Sequence, residues 1–440
     1  MGSTILTEKE ARTNVNLLAS LDFIISLGFG LIMPLFPLYL SMLSGGSLEI
    51  GLQVGILFSA FVFSRALLAA PFGNLSDRIG RKRLILIGSF LYAVLAVLFT
   101  VPDTWFGLLF VRGLQGVASA MVWPVSEALV IDSTPPKLVG SSMGKIVMSS
   151  NLGMVVGPFV GGALFGLAHG PLGFSEMDSY KFPFYFTAVL ALGGAIMVWA
   201  FVRDAKAPKG VRSRMSLGQL LHPDGMDRQG LRNLRALYAN AAMEGFAFAS
   251  IGPLMVIFLS FRFPELGADS IPIIIGLASG LGAIIAFPAG RFADRFGRKR
   301  MFVIGGYVAF IGTILIPFGW LLWVVIVFMA MRSMAFQVSS PALRALQAET
   351  VPEATRGRLI GMLESISNSG SVIGGPVGGL LMDMFLGADL GFTDSVDGSV
   401  LPFLISGLLG LFTVSLVHIM VKEKDRTRLD DVTDPPAGTV

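Results

Sequence analysis

The stretch GNLSDRIGRKR, Gly73 to Arg83, returns as GRFADRFGRKR, Gly290 to Arg300, 217 residues later (290 minus 73) in a chain of 440. Both copies are polar and basic, and each stands between two apolar runs. Each reads as a short polar link between two hydrophobic helices, so one layout has been written twice in a single chain.

The solvent for those helices follows from composition. The chain is 53% hydrophobic and only 14% charged, with a mean hydropathy of +0.73, whereas soluble domains average roughly 25% charged residues. The 53 glycines suit membrane helices, where small residues let backbones approach closely. With no cysteine, disulfide and thiol chemistry are excluded. His169, His222 and His418 are too scattered for a metal site, so neither metal nor cofactor is expected. The net charge of +4 does not point to a nucleic-acid partner, because the cations gather in particular loops and so report topology.

Apolar runs of about 20 residues give twelve spans, near 17–41, 50–72, 84–102, 105–131, 142–168, 183–202, 236–261, 271–290, 301–319, 321–345, 358–385 and 400–421. Six fall in each half. The expected organisation is a segment 1–16, a six-helix bundle 17–202, a linker 203–235, a second bundle 236–422 and a disordered tail 423–440. Arg78, Arg81, Lys82 and Arg83, the linker cations Arg203, Lys206, Lys209, Arg212 and Arg214, and the cluster Arg295, Arg298, Lys299 and Arg300 all share one side. By the positive-inside rule that side, with both termini, is cytoplasmic, and the chain is expected in the plasma (inner) membrane. No cleavage-type site precedes the first span, which reads as a retained helix and not a signal peptide.

The duplication extends further. Pro34 matches Pro253 (offset 219), and GPFVGG at Gly157 to Gly162 is echoed by GPVGG at Gly375 to Gly379, which sets Pro158 against Pro376 (offset 218). A duplicated chain of apolar helices is how many secondary transporters are built.

These residues together resemble the major facilitator superfamily over nearly the whole chain. The resemblance rests on G-x-L-x-D-R-x-G-R-K-R in both halves, and it implies an all-α integral membrane fold of twelve transmembrane helices in two pseudo-symmetric six-helix bundles. In that family the motif acts as a conformational latch. Transferred here, the latch is Gly73, Asp77, Arg78, Gly80 and Arg81 with Asp132, and Gly290, Asp294, Arg295, Gly297 and Arg298 with Glu349. Asp77 would face the N-terminus of the eleventh span, and Arg78 or Arg81 would pair with Asp132. Where the family has an arginine after the prolines of the fourth span, this chain has Lys137, while the second half keeps Arg356. Gly153, Gly157, Pro158, Gly161 and Gly162 match the family's antiporter motif. Glycines at that spacing are expected to pack a flat face of the fifth span against a helix of the other half, as an exporter's outer seal requires, and plain packing would recruit the same residues. Arg112 resembles the family's fourth-span arginine, proposed to assist proton movement; Arg332 matches it less well.

Ionisable residues inside spans each cost about 2.5 to 3.5 kcal/mol at a helix centre, and so call for a pathway, a partner or a shallow position. Asp22, Arg65, Glu127, Lys145, Glu244 and Glu364 fall in the cytoplasmic halves of their spans. Asp22, Arg65, Glu127 and Lys145 lie at one level and can neutralise one another. Asp22 is the first choice of proton carrier, with Glu127, Glu244 and Arg112 as further coupling residues; the competing reading of Asp22 is a shallow solvated residue. Arg65 has no repeat counterpart, since Gly282 stands in its place, and suits the cavity or a structural ion pair equally. Phe29, Met33, Trp123 and Phe246 supply aromatic and adaptable cavity wall, with Arg65 and Glu364 beside them.

These features lead to a proton-coupled exporter of lipophilic small molecules, monomeric in a lipid surround, working by rocker-switch alternating access. A proton-coupled lipid or glycolipid flippase is the alternative, and a nutrient symporter comes third. No nucleophile–base pair or metal-ligand cluster suggests an enzyme.

Overall fold

In the computed structural model, residues 7–45, 49–205, 226–351, 356–386 and 398–422 are described, together with 218 and 223; of residues 136, 286–295, 356–357 and 398 the backbone alone is described. The residues so described are helical, with no strand among them. A backbone in hydrocarbon must satisfy its own polar groups, and a helix does so within one segment.

The first half runs α1 (Glu8–Ile32), α2 (Phe36–Leu43), α3 (Ile50–Ile79), α4 (Arg81–Leu98), α5 (Trp105–Ser133), α6 (Val139–His169) and α7 (Glu176–Phe201). The second runs α8 (Arg228–Ile251), α9 (Leu254–Arg262), α10 (Ser270–Phe296), α11 (Arg298–Leu315), α12 (Leu322–Thr350), α13 (Arg356–Phe385) and α14 (Leu401–Met420). Pro34 divides the first span into α1 and α2, and Pro253 divides the seventh into α8 and α9, because proline cannot donate to the preceding turn. Counting each broken pair as one crossing gives the twelve spans of the major facilitator fold. Among the described residues, nine helices meet both the length and the apolarity needed to cross a membrane.

Packing repeats with the sequence. α1 packs on α6 and α7 as α8 packs on α13 and α14; α3 packs on α5 as α10 does on α12; α4 packs on α5 and α7 as α11 does on α12 and α14. Between the halves, α3 meets α13 and α6 meets α10, and these two seams are equivalent under the same repeat.

Three apolar cores show where the halves join. One core runs through both halves, combining Leu31, Leu57, Phe99 and Phe184 with Ile251, Phe258 and Phe403. Two more stay within single halves, around Leu18, Leu84 and Leu129 and around Leu237, Leu343 and Leu359. The shared core lies on the side away from the ends of the chain, here the far side; the separate cores lie on the terminal side, where Glu10 pairs with Arg203 and Asn233 donates to the carbonyl of Lys422. The halves are therefore closed together on the far side and parted on the terminal side.

The structure differs from the sequence reading in three places. The Gly73–Arg83 stretch is no loop: α3 continues through it to Ile79, and Gly80 alone breaks the helix before α4. Gly80 has φ +103°, a left-handed conformation that glycine tolerates, and Gly297 repeats it with φ +93°. The second bundle starts at Arg228, not 236, because Asp227 caps α8 by accepting the N–H of Gly230 at 2.8 Å. The glycine face of α6 meets α1 of its own half, not the other half: side chains at Gly153, Gly157 and Gly161 would collide with the α1 backbone at Phe23, Gly30 and Leu31. Only Gly162 reaches across, to the backbone of Asp269. Gly370, Gly374 and Gly378 of α13 repeat this arrangement on α8, each 217 residues on, so the packed register is 217 and the two prolines stand one residue out of step. The tail 423–440, residues 1–6 and most of the linker lie outside the described residues.

Gly80→Ala is expected to lower the thermal stability of the purified protein by the equivalent of about 1–3 kcal/mol, the cost of a side chain at positive φ, with its Cβ pressed against the Asp204 carboxylate. In the same melts Gly73→Ala, where an added Cβ meets nothing within 4 Å, should leave stability unchanged or raise it.

Candidate functional site

Inside the first half, Arg112 of α5 is almost fully buried, at 3% exposure. It lies over the rings of Phe61 (4.9 Å), Phe29 (5.4 Å) and Phe36 (5.5 Å), donates to the Gln115 side chain at 2.9 Å and approaches the Met33 sulfur at 3.9 Å. An arginine held this way is stabilised by ring faces and keeps its charge out of water. A small cavity of about 30 Å³ sits beside it, lined in part by Phe29, Phe61, Tyr92, Gln115 and Thr187.

Arg65 of α3 stacks over Trp123 at 4.5 Å, and Phe29 packs on Trp123 with centroids 6.4 Å apart. The sequence-predicted residues Arg65, Phe29, Met33, Trp123 and Arg112 thus form one continuous wall. Arg65 also lies in electrostatic range of Tyr92, Glu127 and Glu364. Glu127 and Glu364 are exposed and come from opposite halves, so they face each other across the terminal-side gap.

Asp22 is buried at 3% exposure, and its Oδ1 has no hydrogen-bond partner among the described residues. Ser126 and Glu127 of α5 are its polar neighbours. A shallow, solvated position for Asp22 is therefore excluded. Glu244 of α8 accepts from Asn240 at 3.3 Å and faces Arg344. Phe246 shows its backbone to Gly370 and Gly374 of α13 and makes no ring contact with the aromatic wall among the described residues. Lys145 does not join the level of Asp22: it donates to Asn16 and lines a terminal-side pocket of about 320 Å³ with Arg12 and Ser141. Arg332 donates to Thr313 at 3.0 Å and stands three residues out of register with Arg112 (112 plus 217 is 329).

Of the two arginines expected to pair with Asp132, it is Arg81 that does so, with Nε 2.7 Å from Oδ2, and it also reaches Asp77 at 3.4 Å. In the second half Arg298 pairs with Glu349, at positions displaced by 217 from Arg81 and Asp132. The side chains of Gly290, Asp294, Arg295 and Arg356 lie outside the described residues.

Against known proteins, the sequence profile of the Major Facilitator Superfamily matches residues 18–286 and 237–439. The chain belongs to the Major Facilitator Superfamily. As a member of that family it is a transporter, and it resembles the drug-efflux branch. It is 25% identical over 427 residues to multidrug resistance protein 2 of Bacillus subtilis, covering 94% of this chain and 97% of the relative. It is 25% identical over 405 residues to an uncharacterised transporter of Methanocaldococcus jannaschii, covering 91% and 98%. Quinolone resistance protein NorA of Staphylococcus aureus is 30% identical over 184 residues, 42% of this chain and 44% of NorA. In fold it matches a bacterial homologue of the human lysosomal transporter Spinster in its inward-facing, unoccupied conformation, with a TM-score of 0.74 and 16% identity over 98% of this chain and 100% of that one.

The sequence reading missed three polar residues of this transporter. Arg344 is the repeat partner of Glu127 (127 plus 217), and it meets both Glu127 and Glu244; applying the repeat offset to every charge would have found it. Tyr92, half-buried within electrostatic range of Arg65 and Arg112, carries no sequence signal. Asp383, two residues before the end of the 358–385 span, was passed over among the ionisable residues inside spans.

Arg81→Ala is expected to destabilise the fold by about 3–5 kcal/mol, since side chains at Arg81 and Asp132 are only 7% and 8% exposed. Arg298→Ala, in a pair exposed to 25% and 33%, should cost about 1 kcal/mol or less after solvent screening. Arg78→Ala should stay within about 0.5 kcal/mol. Chemical denaturation of the three variants ranks them.

Proposed function

We propose that this transporter expels lipophilic small molecules in exchange for protons, by alternating access between a terminal-side opening and a far-side opening. The observation that carries the reading is the buried carboxylate of Asp22, with one oxygen unpartnered, beside Glu127, which itself opens onto the gap between the halves. A buried carboxylate is stable when neutral and must find a cation or water when ionised. Asp22 therefore takes up a proton in one state and passes it through Glu127 in another, while Arg65 and Arg344 compensate Glu127 whenever it is charged. Glu244, held by Asn240 and faced by Arg344, serves the second half as a proton site or a substrate counter-charge.

The aromatic wall of Phe29, Phe61 and Trp123 supports an apolar substrate, because it offers ring area with few fixed hydrogen-bond demands. Arg112, held among aromatic rings, assists proton movement electrostatically by tuning the cavity beside Asp22 and Glu127. Relatives named for multidrug and quinolone resistance support export of drug-like molecules. The protein acts as a monomer with protons and lipid as its partners, and the positive-inside pattern supports a plasma-membrane location with the terminal side in the cytoplasm.

In inverted membrane vesicles, adding a transported drug should dissipate a preformed pH gradient, and Asp22→Asn should abolish that response while drug binding to purified protein persists. Unchanged coupling in Asp22→Asn moves the proton site to Glu127 or Glu244. Tight phospholipid binding without any drug-resistance phenotype overturns drug export in favour of lipid flipping.

A further inference from the structure

The far-side seam between α3 and α13 holds a polar contact with no counterpart at the other seam among the described residues. Asp383, in the last turn of α13, accepts the backbone N–H of Gly51 at 2.8 Å through Oδ1 and that of Leu52 at 2.6 Å through Oδ2. Both donors belong to the first turn of α3, in the opposite half, where backbone N–H groups have no partner within their own helix. Glu49, at the N-cap position of α3, makes no side-chain cap of its own. The first turn of α3 is therefore capped by the other half of the protein.

The surrounding glycines allow it. A side chain at Gly51 would run into the Asp383 carboxylate, and one at Gly379, a turn earlier in α13, would overlap the Gly51 backbone. Gly55 and Gly375 meet in the same way a turn further in, and Ser59 donates to the carbonyl of Ser371 at 3.5 Å. The carboxylate reaches α3 only when these backbones touch. At the equivalent seam the place of Asp383 is taken by Gly166 (383 minus 217), beside Asp269 ahead of α10. One of two otherwise repeated seams thus carries a charge-assisted double hydrogen bond, placed at the positive end of a helix.

We infer that Asp383 is the positioning residue of the far-side gate: its carboxylate caps α3 across the seam and so holds the closed far-side state that the transport cycle must break. The inference rests on the alternating-access reading above and concerns which state is populated, not what is carried. When the halves part, Gly51 and Leu52 donate to water and Asp383 is solvated, so the two bonds favour one conformation only.

The chain has no cysteine, so label pairs can be introduced without background. Val101→Cys with Trp320→Cys places labels on exposed far-side positions of opposite halves, 62% and 70% exposed. Ser141→Cys with Gly361→Cys does so on the terminal side, at exposed positions. Distances are read by spin-label spectroscopy on the purified full chain in lipid, without substrate or gradient, so that a failure of drug export leaves the measurement intact. Asp383→Ala should lengthen the far-side distance and shorten the terminal-side one, shifting the ratio of open to closed far side by about tenfold or more. Asp383→Asn, which keeps one acceptor, should give a smaller shift in the same direction. Glu49→Gln, which removes a nearby charge but no cap, should shift neither. Unchanged distances in Asp383→Ala overturn the inference. So does broadening of both pairs together, which reports a loosened fold, and so does an equal shift in Glu49→Gln, which reports general electrostatics.

Discussion

Backbone-to-backbone approach of glycine-bearing helices is the constraint on which the rest of this transporter depends. Lipid provides no hydrophobic drive between helices, so association relies on close packing and on the polar contacts that closeness permits. Along α6 and α13, three glycines each are pressed against α1 and α8, and a methyl group at any of them would overlap a neighbouring backbone. Those contacts build the halves. A second set, Gly51 with Gly379 and Gly55 with Gly375, brings the halves together on the far side. The same residue type therefore builds the interfaces within each half and those between the halves, and the partner helix decides which is which.

Polar groups then divide by depth. At the terminal ends, Arg81 with Asp132 and Arg298 with Glu349 fasten α4 to α5 and α11 to α12 within their own halves. These pairs obey the repeat, as parts that keep each bundle rigid should. In the interior the repeat is broken: Glu127 stands opposite the register of Arg344, Arg65 opposite Gly282, and Asp383 opposite Gly166. A symmetric scaffold thus carries an asymmetric set of charges.

Much of this was legible in the chain. Twelve apolar runs, the duplicated GNLSDRIGRKR stretch and the matched prolines led to two bundles of six, and the broken helices at Pro34 and Pro253 follow from a missing N–H wherever they occur. Phe29, Met33, Trp123 and Arg65 were chosen as cavity wall for their side-chain chemistry and Arg112 as a coupling residue, and the structure sets them side by side, while Phe246, chosen with them, faces α13. Lys145 was placed by depth beside Asp22, but depth alone does not say which way a helix face turns, and Asn16 claimed it on the terminal side.

What the sequence by itself determined is what depends on one residue and its neighbours along the chain: membrane helices, their number, and the two-fold duplication. Which helix each glycine face would meet was decided only by tertiary structure, and so were the choice of Arg81 over Arg78 for Asp132 and the capping of α3 by Asp383 from the other half. The physical reason is common to all three. Helix spacing fixes which residues share a face, but rotation about the helix axis and the choice of neighbour are set by packing summed over the whole bundle, and no local pattern encodes that sum.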